Sequence, residues 1–433
     1  MARDRMLCSI DIGSSKIVTL IASMTEEGEA RIIGVSTTPS RGLRKSQVVN
    51  IEEATEAISS SLEAAERMAG TSVAQAFLSV GGAHIASINS HGVVAVSEPE
   101  KEIATTDVKR VIDAAKAVQL PTSRDILHVL PRGFIVDGQE GIVDPIGMSG
   151  VRLEVETHLV TGGATAIRNL HKCVEELGIE VGGVAFGGLV SAISTISETE
   201  KELGVVLVDI GGGTTDVAIF VEGALSYSSV IPIGAINITK DLAAGLRVSL
   251  ESAEKIKLRL GELVKAPVMQ DEDKPKSAKT SPDDEIDVSD LTLAEGMRTV
   301  SKKTLIEGII KPRLNEIFTM VGLEIKRSGF GGVTPSGVVI TGGGALTVGA
   351  VEAARRNLAM PVRVGIPQHV TGLIDEIMSP AYTAAVGLLL WGEKSGKAEH
   401  SSSLFSGIGK MKGNFQVKGL AGKVVDLVKS FLP

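Results

Sequence analysis

The clearest pattern in the chain is a set of short, continuous apolar runs, each closely followed by glycine. Val205 to Val208 precedes the glycines 211 to 213, Val338 to Ile340 precedes the glycines 342 to 344, and a related run follows Leu7. Apolar runs without polar alternation are typical of strands that are covered on both faces. These segments therefore predict buried strands that end in tight turns.

Other segments complete a pattern in which strands alternate with helices. Further strands are predicted at Arg31 to Ser36, Gln75 to Val80, Ala218 to Val221 and Leu225 to Pro232, and a strand pair within residues 126 to 138. The helical spacing of apolar residues predicts helices at 51 to 69, 106 to 118, 164 to 177, 236 to 246, 252 to 260 and 379 to 391, and a long helix at 299 to 326 interrupted at Pro312. This alternation predicts an α/β protein.

Two of the strand-and-turn units resemble each other. Residues 204 to 216 read GVVLVDIGGGTTD, and residues 7 to 22 read LCSIDIGSSKIVTLIA. Both contain a strand, an Asp-Ile-Gly triplet, small hydroxyl residues and a second strand. Repetition of a supersecondary unit indicates a duplicated architecture. We therefore expect two like halves, each offering one turn to a shared ligand.

The residues of these turns suit a phosphate. Glycines let backbone N–H groups approach an anion without interference from a Cβ atom. Asp209 and Asp216 cannot contact a phosphate directly because like charges repel, so they indicate an intervening Mg²⁺ with its water shell. Lys16 adds a positive charge. A plain glycine hairpin explains either turn alone, but the second copy favours a nucleotide site.

Composition narrows the class of protein. A chain of 433 residues exceeds the usual size of a single core, so two or more domains are expected. Aromatic residues make up 3% of the chain and its net charge is −8. Single-stranded nucleic-acid sites use aromatic stacking, and backbone-binding surfaces are basic. The composition therefore disfavours nucleic acid as a partner.

Cysteine usage and hydropathy indicate the compartment. Cys8 and Cys173 do not form a CxxC motif, so we expect a reduced, cytoplasmic protein without disulfides or structural zinc. The first residues lack the apolar segment of a signal peptide. No apolar run reaches the roughly 18 residues of a spanning helix. These observations predict a chain that does not cross a membrane.

Two internal segments differ from the rest of the chain in composition or in their pattern of predicted elements. Residues 84 to 162 alternate short strands and helices in a pattern of their own, which predicts a small inserted domain. Its four histidines, His84, His91, His128 and His158, lack metal-ligand spacing and are predicted to be structural. Residues 267 to 290 are rich in acid, Lys, Ser and Pro, which predicts a disordered loop.

The C-terminal tail combines a polar segment with an amphipathic one. Residues 393 to 417, rich in Gly, Ser and Lys, predict a flexible linker. In residues 418 to 433, one helical face collects five apolar residues: Leu420, Val424, Leu427, Val428 and Phe431. This helix could dock on the body of the protein. The long linker and the surplus of lysines favour a helix that lies on an anionic membrane surface.

Several motifs carry a resemblance to a known family. DIGSSK at 11 to 16, VDIGGGTTD at 208 to 216 and VVITGGGALTVG at 338 to 349 resemble the two phosphate loops and the adenosine loop of the actin/Hsp70/sugar-kinase ATPase superfamily. The sequences at 128 to 154 and 231 to 243 are more specific and resemble the FtsA family of bacterial cell-division proteins. The resemblance implies an actin-like fold, with two like halves around a nucleotide cleft and an inserted subdomain.

The resemblance also implies a division into domains. It places the first half at 1–83, 163–197 and 366–392, the inserted subdomain at 84–162, the second half at 198–235 and 331–365, a nucleotide-side subdomain at 236–330, a linker at 393–417 and a membrane-targeting helix at 418–433. One departure is Ala235, where the family usually has a second glycine beside the nucleotide. Backbone contact with the ligand at that point is therefore an open question.

Site residues are implied by position in the matching motifs. Asp11 and Asp209 would hold the water shell of Mg²⁺, while Arg313 and Glu316 would bind the C-terminal peptide of FtsZ. The residues implied for ATP are Gly13, Ser14, Ser15, Lys16, Gly211, Gly212, Gly213, Thr214, Glu254, Lys257, Gly342, Gly343 and Gly344.

The implied function is assembly of the division septum. An ATP-binding protein with weak or slow ATPase activity would polymerise, contact other division proteins and tether FtsZ filaments to the cytoplasmic face of the cell membrane through its terminal helix. Two alternatives remain: a small-molecule kinase of the same superfamily and a pilus-assembly platform protein. The kinase would not account for the linker and the amphipathic tail.

Overall fold

The computed structural model describes residues 5–25, 29–97, 102–265 and 284–406. Its strands are β1 (Arg5–Ile12), β2 (Lys16–Met24), β3 (Ala30–Pro39), β4 (Leu43–Arg44), β5 (Gln47–Val48), β6 (Gln75–Val80), β7 (Ala86–Ala95), β8 (Arg124–Val136), β9 (Gln139–Ile142), β10 (Arg152–Gly163), β11 (Glu180–Phe186), β12 (Val205–Ile210), β13 (Thr215–Val221), β14 (Ala224–Ile231), β15 (Glu285–Asp287), β16 (Thr299–Ser301), β17 (Val338–Thr341), β18 (Val362–Val364) and β19 (Val370–Gly372).

Helices connect and cover these strands. They are α1 (Ile51–Ala69), α2 (Thr105–Lys116), α3 (Ala164–Glu175), α4 (Gly187–Thr195), α5 (Glu198–Leu203), α6 (Ala235–Leu246), α7 (Leu250–Lys265), α8 (Lys302–Leu305), α9 (Lys311–Ser328), α10 (Ala350–Leu358), α11 (Ile374–Ile377) and α12 (Thr383–Ser406). Within the described residues no helix is both long and apolar enough to cross a membrane.

The two large sheets have the same connectivity. One runs in the order β3, β2, β1, β6, β11, with β19 added beyond β3, and the other runs β14, β13, β12, β17, β18. In each, the first two pairings are antiparallel and the next two are parallel. The predicted duplication into two like halves is confirmed by this match.

Apolar residues on both faces of β1 explain its central position. Cys8 and Ile10 pack in a core shared with Ile58 of α1, whereas Leu7 packs in a separate core with Leu389 of α12. Alternate residues of a strand point to opposite faces, so a strand with buried apolar residues at successive positions is covered on both sides. The successive apolar residues Leu7 and Cys8 thus place β1 inside the sheet.

The inserted segment forms a sheet of its own. Strands β7, β10, β8 and β9 lie side by side, and α2 contributes Val108 and Val111 to a separate core with Phe134. The predicted strand pair within residues 126 to 138 was wrong, since β8 is one continuous strand. The pairing with β10 shifts register between Pro131 and Gly133. This bulge accommodates a proline that lacks the N–H group of a regular ladder.

Each histidine of the inserted block has a hydrogen-bond or ion-pair partner. The pairs are His84 with Gly163, His91 with Glu154, His128 with Phe186, and His158 with Asn89 and Ser228. Burial lowers the pKa of His128 to about 4 and that of His158 to about 3, so both are neutral at pH 7. The contacts agree with the predicted structural role.

Pro312 does not interrupt the helical segment. A π-helical turn at Ile306–Ile310 joins α8 to α9, and the N–H of Lys311 donates to the carbonyl of Ile306. Proline in a regular helix clashes with the carbonyl four residues earlier. The wider turn directly before Pro312 relieves that constraint, so the chain continues as a helix.

The described part of the acidic segment forms regular structure. Residues 284–290, which were predicted to be disordered, include β15 and a 3₁₀ turn, and the remaining residues of the predicted loop lie outside the described part. Strand β15 pairs with β16, and Val288 is buried in the core of the second half. The prediction failed because Ile286 and Val288 supply apolar contacts that the surrounding charges concealed.

The last helix is longer than predicted. Helix α12 continues to Ser406, so residues 393–406 are helical and do not form the beginning of a flexible linker. Glu393, Lys394 and Ala398 have good helix propensity, and no proline interrupts this stretch. The rest of the predicted linker and the amphipathic segment 418–433 lie outside the described residues.

The contact between α12 and α4 gives a test of the fold. A Cβ atom on Gly387 would lie 1.7 Å from the carbonyl oxygen of Val190. We expect Gly387→Ala to lower the free energy of unfolding by about 3 kcal/mol, since backbone must move to admit the methyl group. Urea denaturation measures the change.

A helical glycine without neighbours is the matched control. No described atom lies within 4 Å of a Cβ atom on Gly308. Gly308→Ala should leave stability unchanged or raise it by up to about 1 kcal/mol, because alanine has the higher helix propensity. Equal losses in the two variants would contradict the close packing of α12 on α4.

Candidate functional site

The two predicted phosphate turns have the same backbone hydrogen bond. The N–H of Gly13 donates to the carbonyl of Lys16 at 3.1 Å, and the N–H of Gly211 donates to the carbonyl of Thr214 at 2.9 Å. Each turn joins two antiparallel strands, β1 to β2 and β12 to β13. The sequence similarity between the turns therefore corresponds to the same local structure in both halves.

The tips of the two turns touch each other. A Cβ atom on Gly212 would lie 2.7 Å from the Cβ of Ser15, and one on Gly213 would lie 2.6 Å from the Oγ of Ser14. Glycine is therefore required at both positions for steric reasons. The same lack of side chains exposes backbone N–H groups to an anion placed between the turns.

Asp11 and Asp209 occupy equivalent positions before the two turns. The hydroxyl of Ser79 donates to Asp11 at 2.5 Å, and the hydroxyl of Ser191 donates to Asp209 at 2.5 Å. Loss of solvent raises the pKa of Asp11, against the opposing effects of Ser79 and Lys16. Loss of solvent, with repulsion from Asp11, raises the pKa of Asp209 to about 6.

These carboxylates suit a hydrated divalent cation. Both have lost solvent, and each already accepts one hydroxyl, so a nearby positive charge would stabilise their ionised forms. Oxygen ligands, partly through water, are the usual environment of Mg²⁺. The donor set at Asp11 and Asp209 therefore fits this ion.

Lys16 lies between the carboxylates and an aromatic ring. Its Nζ atom is 4.2 Å from the centroid of the Tyr382 ring. Loss of solvent lowers its pKa, and the charges of Asp11 and Asp209 oppose that shift. Cation–π contact helps to hold an ammonium group in one orientation. Tyr382 thus fixes the predicted phosphate-binding lysine.

Asp216 is the most enclosed carboxylate of the cleft. It is 8% exposed, and its Oδ1 atom has no hydrogen-bond partner among the described residues. Burial and repulsion from Asp209 and Asp11 raise its pKa well above the ordinary range, although the N–H of Gly188 favours the ionised form.

The first residues of helix α6 form hydrogen bonds with the second turn. The N–H of Ala235 donates to the carbonyl of Gly211 at 2.9 Å, and that of Ile236 donates to Gly212 at 2.8 Å. A Cβ atom on Gly234 would lie 2.6 Å from the carbonyl oxygen of Gly211, so glycine is needed there. Ala235 therefore contacts the turn through its backbone.

The loop after β17 closes against the second aspartate. Gly342 has φ +79°, and a Cβ atom there would lie 2.2 Å from Oδ1 of Asp209. A Cβ atom on Gly344 would lie 2.3 Å from the side chain of Ile210, whereas Gly343 faces open space in the described structure. The three predicted glycines thus bring this loop to the end of β12.

Glu254 and Lys257 form a network on α7 that reaches α6. Nζ of Lys257 donates to Glu254 at 2.7 Å and to the hydroxyl of Thr239 at 2.9 Å. That hydroxyl donates in turn to Glu254 at 2.5 Å. Lys257 is buried, whereas Glu254 keeps an exposed face. Glu254 is therefore the more accessible of the two to a ligand.

The predicted FtsZ-binding residues lie on a different surface. Arg313 of α9 forms a two-pronged pair with Asp241 of α6, through Nε at 2.6 Å and a terminal nitrogen at 2.9 Å. It also donates to Glu316. Helix α6 therefore contacts both the second phosphate turn and this cluster.

Several residues of the site were not found from the sequence. Ser79, Ser191 and Tyr382 reach the cleft from elements distant in sequence, as does Ser46. Ser79 had a weak signal, because it is a polar residue at the end of the apolar run before Gly81. Ser46, Ser191 and Tyr382 had no sequence signal that separates them from ordinary serines and tyrosines.

Comparison with known proteins decides the family. A family model described as "Cell division protein FtsA" matches residues 206–387, and one described as "SHS2 domain inserted in FTSA" matches residues 82–161. The cell division protein FtsA of Pseudomonas aeruginosa is 42% identical over 398 residues, which cover 90% of this chain and 89% of that protein. The chain belongs to the FtsA family. The FtsA of Escherichia coli is 35% identical over 94% of this chain and 96% of its own.

A solved structure supports the fold of this FtsA-family chain. The structure titled "PilM-PilN type IV pilus biogenesis complex" aligns with a TM-score of 0.60 and 13% identity, over 89% of this chain and 98% of that one. Identity this low shows the fold alone. The actin-like architecture predicted from the sequence is confirmed, and the pilus-assembly alternative shares that fold while the sequence matches support FtsA.

Proposed function

We propose that this FtsA-family protein binds ATP with Mg²⁺ between its two halves and tethers FtsZ filaments to the cytoplasmic face of the membrane during septum assembly. The observation that carries the nucleotide site is the pair of equivalent turns in contact, each preceded by an aspartate. One turn alone would fit a hairpin. Two facing turns, with a lysine whose charge acts on both aspartates, fit a polyphosphate.

Each part of the cleft has a role in this proposal. Ser14, Ser15 and Lys16 bind phosphate oxygens from the first half, and residues 211–214 do so from the second. When bound, Mg²⁺ supplies charge neutralisation and orients the phosphates. Asp11 and Asp209 hold its water shell, with Ser79 and Ser191 fixing their orientation.

The nucleoside side lies between α7 and the loop after β17. A Cβ atom on Gly261 of α7 would lie 3.0 Å from the carbonyl oxygen of Leu346, so these elements are in contact. Glu254 and Lys257 line one side and the glycines 342 to 344 the other. Open space at Gly343 leaves the backbone accessible to a flat base.

Slow turnover is part of this proposal. Phosphoryl transfer to water needs a group that orients or activates the attacking water. Among the described residues of the cleft we assign no group to that role. Binding and closure of the halves, which set the geometry for polymerisation, therefore matter more than rapid hydrolysis.

Nucleotide binding is tested by removing one charge at a time. Lys16→Ala should weaken Mg·ATP binding by about tenfold to a hundredfold, because a charge-assisted contact to phosphate is lost. Asp209→Ala should weaken it when Mg²⁺ is present and have less effect in EDTA. Isothermal titration calorimetry of the full chain measures both.

An exposed lysine serves as the matched control for the cleft. Lys172 pairs with Glu176 on α3 and is 58% exposed, so Lys172→Ala should bind Mg·ATP as the wild type does. Wild-type affinity in both Lys16→Ala and Asp209→Ala would contradict the assignment of the cleft.

Binding of the FtsZ peptide is tested at Arg313. Its side chain is 24% exposed and already presents a planar guanidinium on the surface of α9. We expect Arg313→Ala to weaken binding of a labelled FtsZ C-terminal peptide at least about tenfold, since arginine recognises carboxylates with paired hydrogen bonds. Fluorescence anisotropy measures the affinity.

Helix α9 also supplies the control. Arg327 pairs with Glu324 at the same i, i+3 spacing but is 71% exposed and lies at the far end of the helix. Arg327→Ala should leave peptide affinity unchanged. Absence of peptide binding by the wild type would instead favour the pilus-assembly alternative.

Membrane attachment is tested at the C-terminal segment. Deletion of residues 420–433 should abolish sedimentation with anionic liposomes, because the apolar face and its lysines are then lost. Leu427→Gln should weaken sedimentation, whereas Asp426→Gln on the opposite face should not. Unchanged sedimentation after the deletion would exclude this segment as the membrane anchor.

A further inference from the structure

The short hairpin between β4 and β5 has an unusual turn. Its two central residues, Lys45 and Ser46, have φ values of 50° and 57°. Two-residue turns of this kind usually contain Asn and Gly, because other L-residues tolerate positive φ poorly. Strained backbone that persists is a feature of functional sites when the surrounding contacts hold it in place.

Ser46 contacts both phosphate turns. Its N–H donates to the Oγ of Ser14 at 2.7 Å, which fixes the hairpin on the first half. Its own Oγ lies 3.2 Å from the Oγ of Ser14 and 3.3 Å from the Oγ1 of Thr214. One side chain therefore spans the junction of the two halves.

The hydroxyl of Ser46 has only weak partners in the described structure. Hydrogen bonds between oxygens are usually about 2.5–3.0 Å long, so contacts of 3.2 and 3.3 Å are weak ones. Ser14 and Thr214 contribute hydroxyls, which can both donate and accept. Three hydroxyl groups thus converge on one point with no carboxylate or carbonyl among these contacts.

The β4–β5 hairpin closes one side of the space around these three hydroxyls. A Cβ atom on Gly213 would lie 3.2 Å from the Cα of Lys45, and one on Gly81 would lie 3.5 Å from the Cβ of Ser46. The hairpin therefore forms a third wall beside the two turns. Convergent hydroxyl groups without a charged acceptor among them are the chemistry of an anion site.

We propose that Ser46 is a positioning residue that recognises the terminal phosphate of ATP, and this inference rests on the nucleotide site proposed above. A phosphate oxygen between Ser14 and Thr214 supplies the strong acceptor that the Ser46 hydroxyl lacks. ADP ends one phosphate earlier and leaves the hydroxyl with its weak partners. Ser46 thereby favours ATP over ADP and, because it bridges to Thr214, links that preference to closure of the halves.

The test compares two nucleotides in the same variant. Calorimetry of the full chain is done with Mg·ADP and with the non-hydrolysable analogue Mg·AMPPNP. Ser46→Ala should weaken Mg·AMPPNP about tenfold, as expected for loss of a hydrogen bond to a charged group, and Mg·ADP less than about twofold. Retained ADP binding in the variant shows that the site is folded.

A glycine variant separates the hydroxyl from the strained backbone. Ser46→Gly removes the hydroxyl and relieves the positive φ, and it should show the same selective loss as Ser46→Ala. Ser60→Ala, an exposed serine of α1, should bind both nucleotides normally.

The contrary outcomes are distinct. An unchanged ratio of affinities in Ser46→Ala overturns the inference, as does a change confined to Ser46→Gly, which would assign the effect to strain. A wild-type chain that binds neither nucleotide overturns the proposed function itself.

Discussion

The constraint on which this structure depends is the close approach of two glycine turns. Gly212 and Gly213 lie so near Ser15 and Ser14 that neither position admits a Cβ atom. Each turn is held by strands whose apolar residues are buried on both sides, and one core contains residues of both halves, among them Ile10 and Leu207. At the turns themselves the halves meet through backbone and small hydroxyls, which is a contact that an anionic ligand can enter and reorganise.

Helix α6 joins this contact to the surface of the second half. Its first residue, Ala235, donates a backbone N–H to Gly211, and one and a half turns later Asp241 pairs with Arg313. A short helix is stiff over that distance. A shift of the phosphate turn thus moves the carboxylate that holds Arg313, which gives a physical route between the proposed nucleotide and FtsZ sites. The support for this route is the continuous series of contacts from Gly211 through α6 to Arg313. Energetic coupling between the two sites is measured separately.

Sequence reasoning located the parts of the site whose residues are consecutive in the chain. Both turns, their aspartates and Lys16 fall within short motifs, so their positions were predictable together. Ser46, Ser79 and Tyr382 were missed because they act through contacts between distant segments. The errors in secondary structure have other causes: a bulge against β10 accommodates Pro131, and a π-helical turn precedes Pro312, so both prolines lie within elements that simple local rules would break.

The electrostatics of the cleft favour joint binding of cation and nucleotide at the proposed site. Asp11, Asp209 and Asp216 influence one another, and Lys16 is the cation whose charge acts on the first two. A nucleotide arriving alone would add phosphate charge to this acidic group and be repelled by it. Mg²⁺ would neutralise charge on both sides of the contact, and its charge would favour the ionised carboxylates proposed to hold its water shell. Repulsion between carboxylates and phosphates is thus the physical reason for the proposed preference for the metal complex over the bare anion.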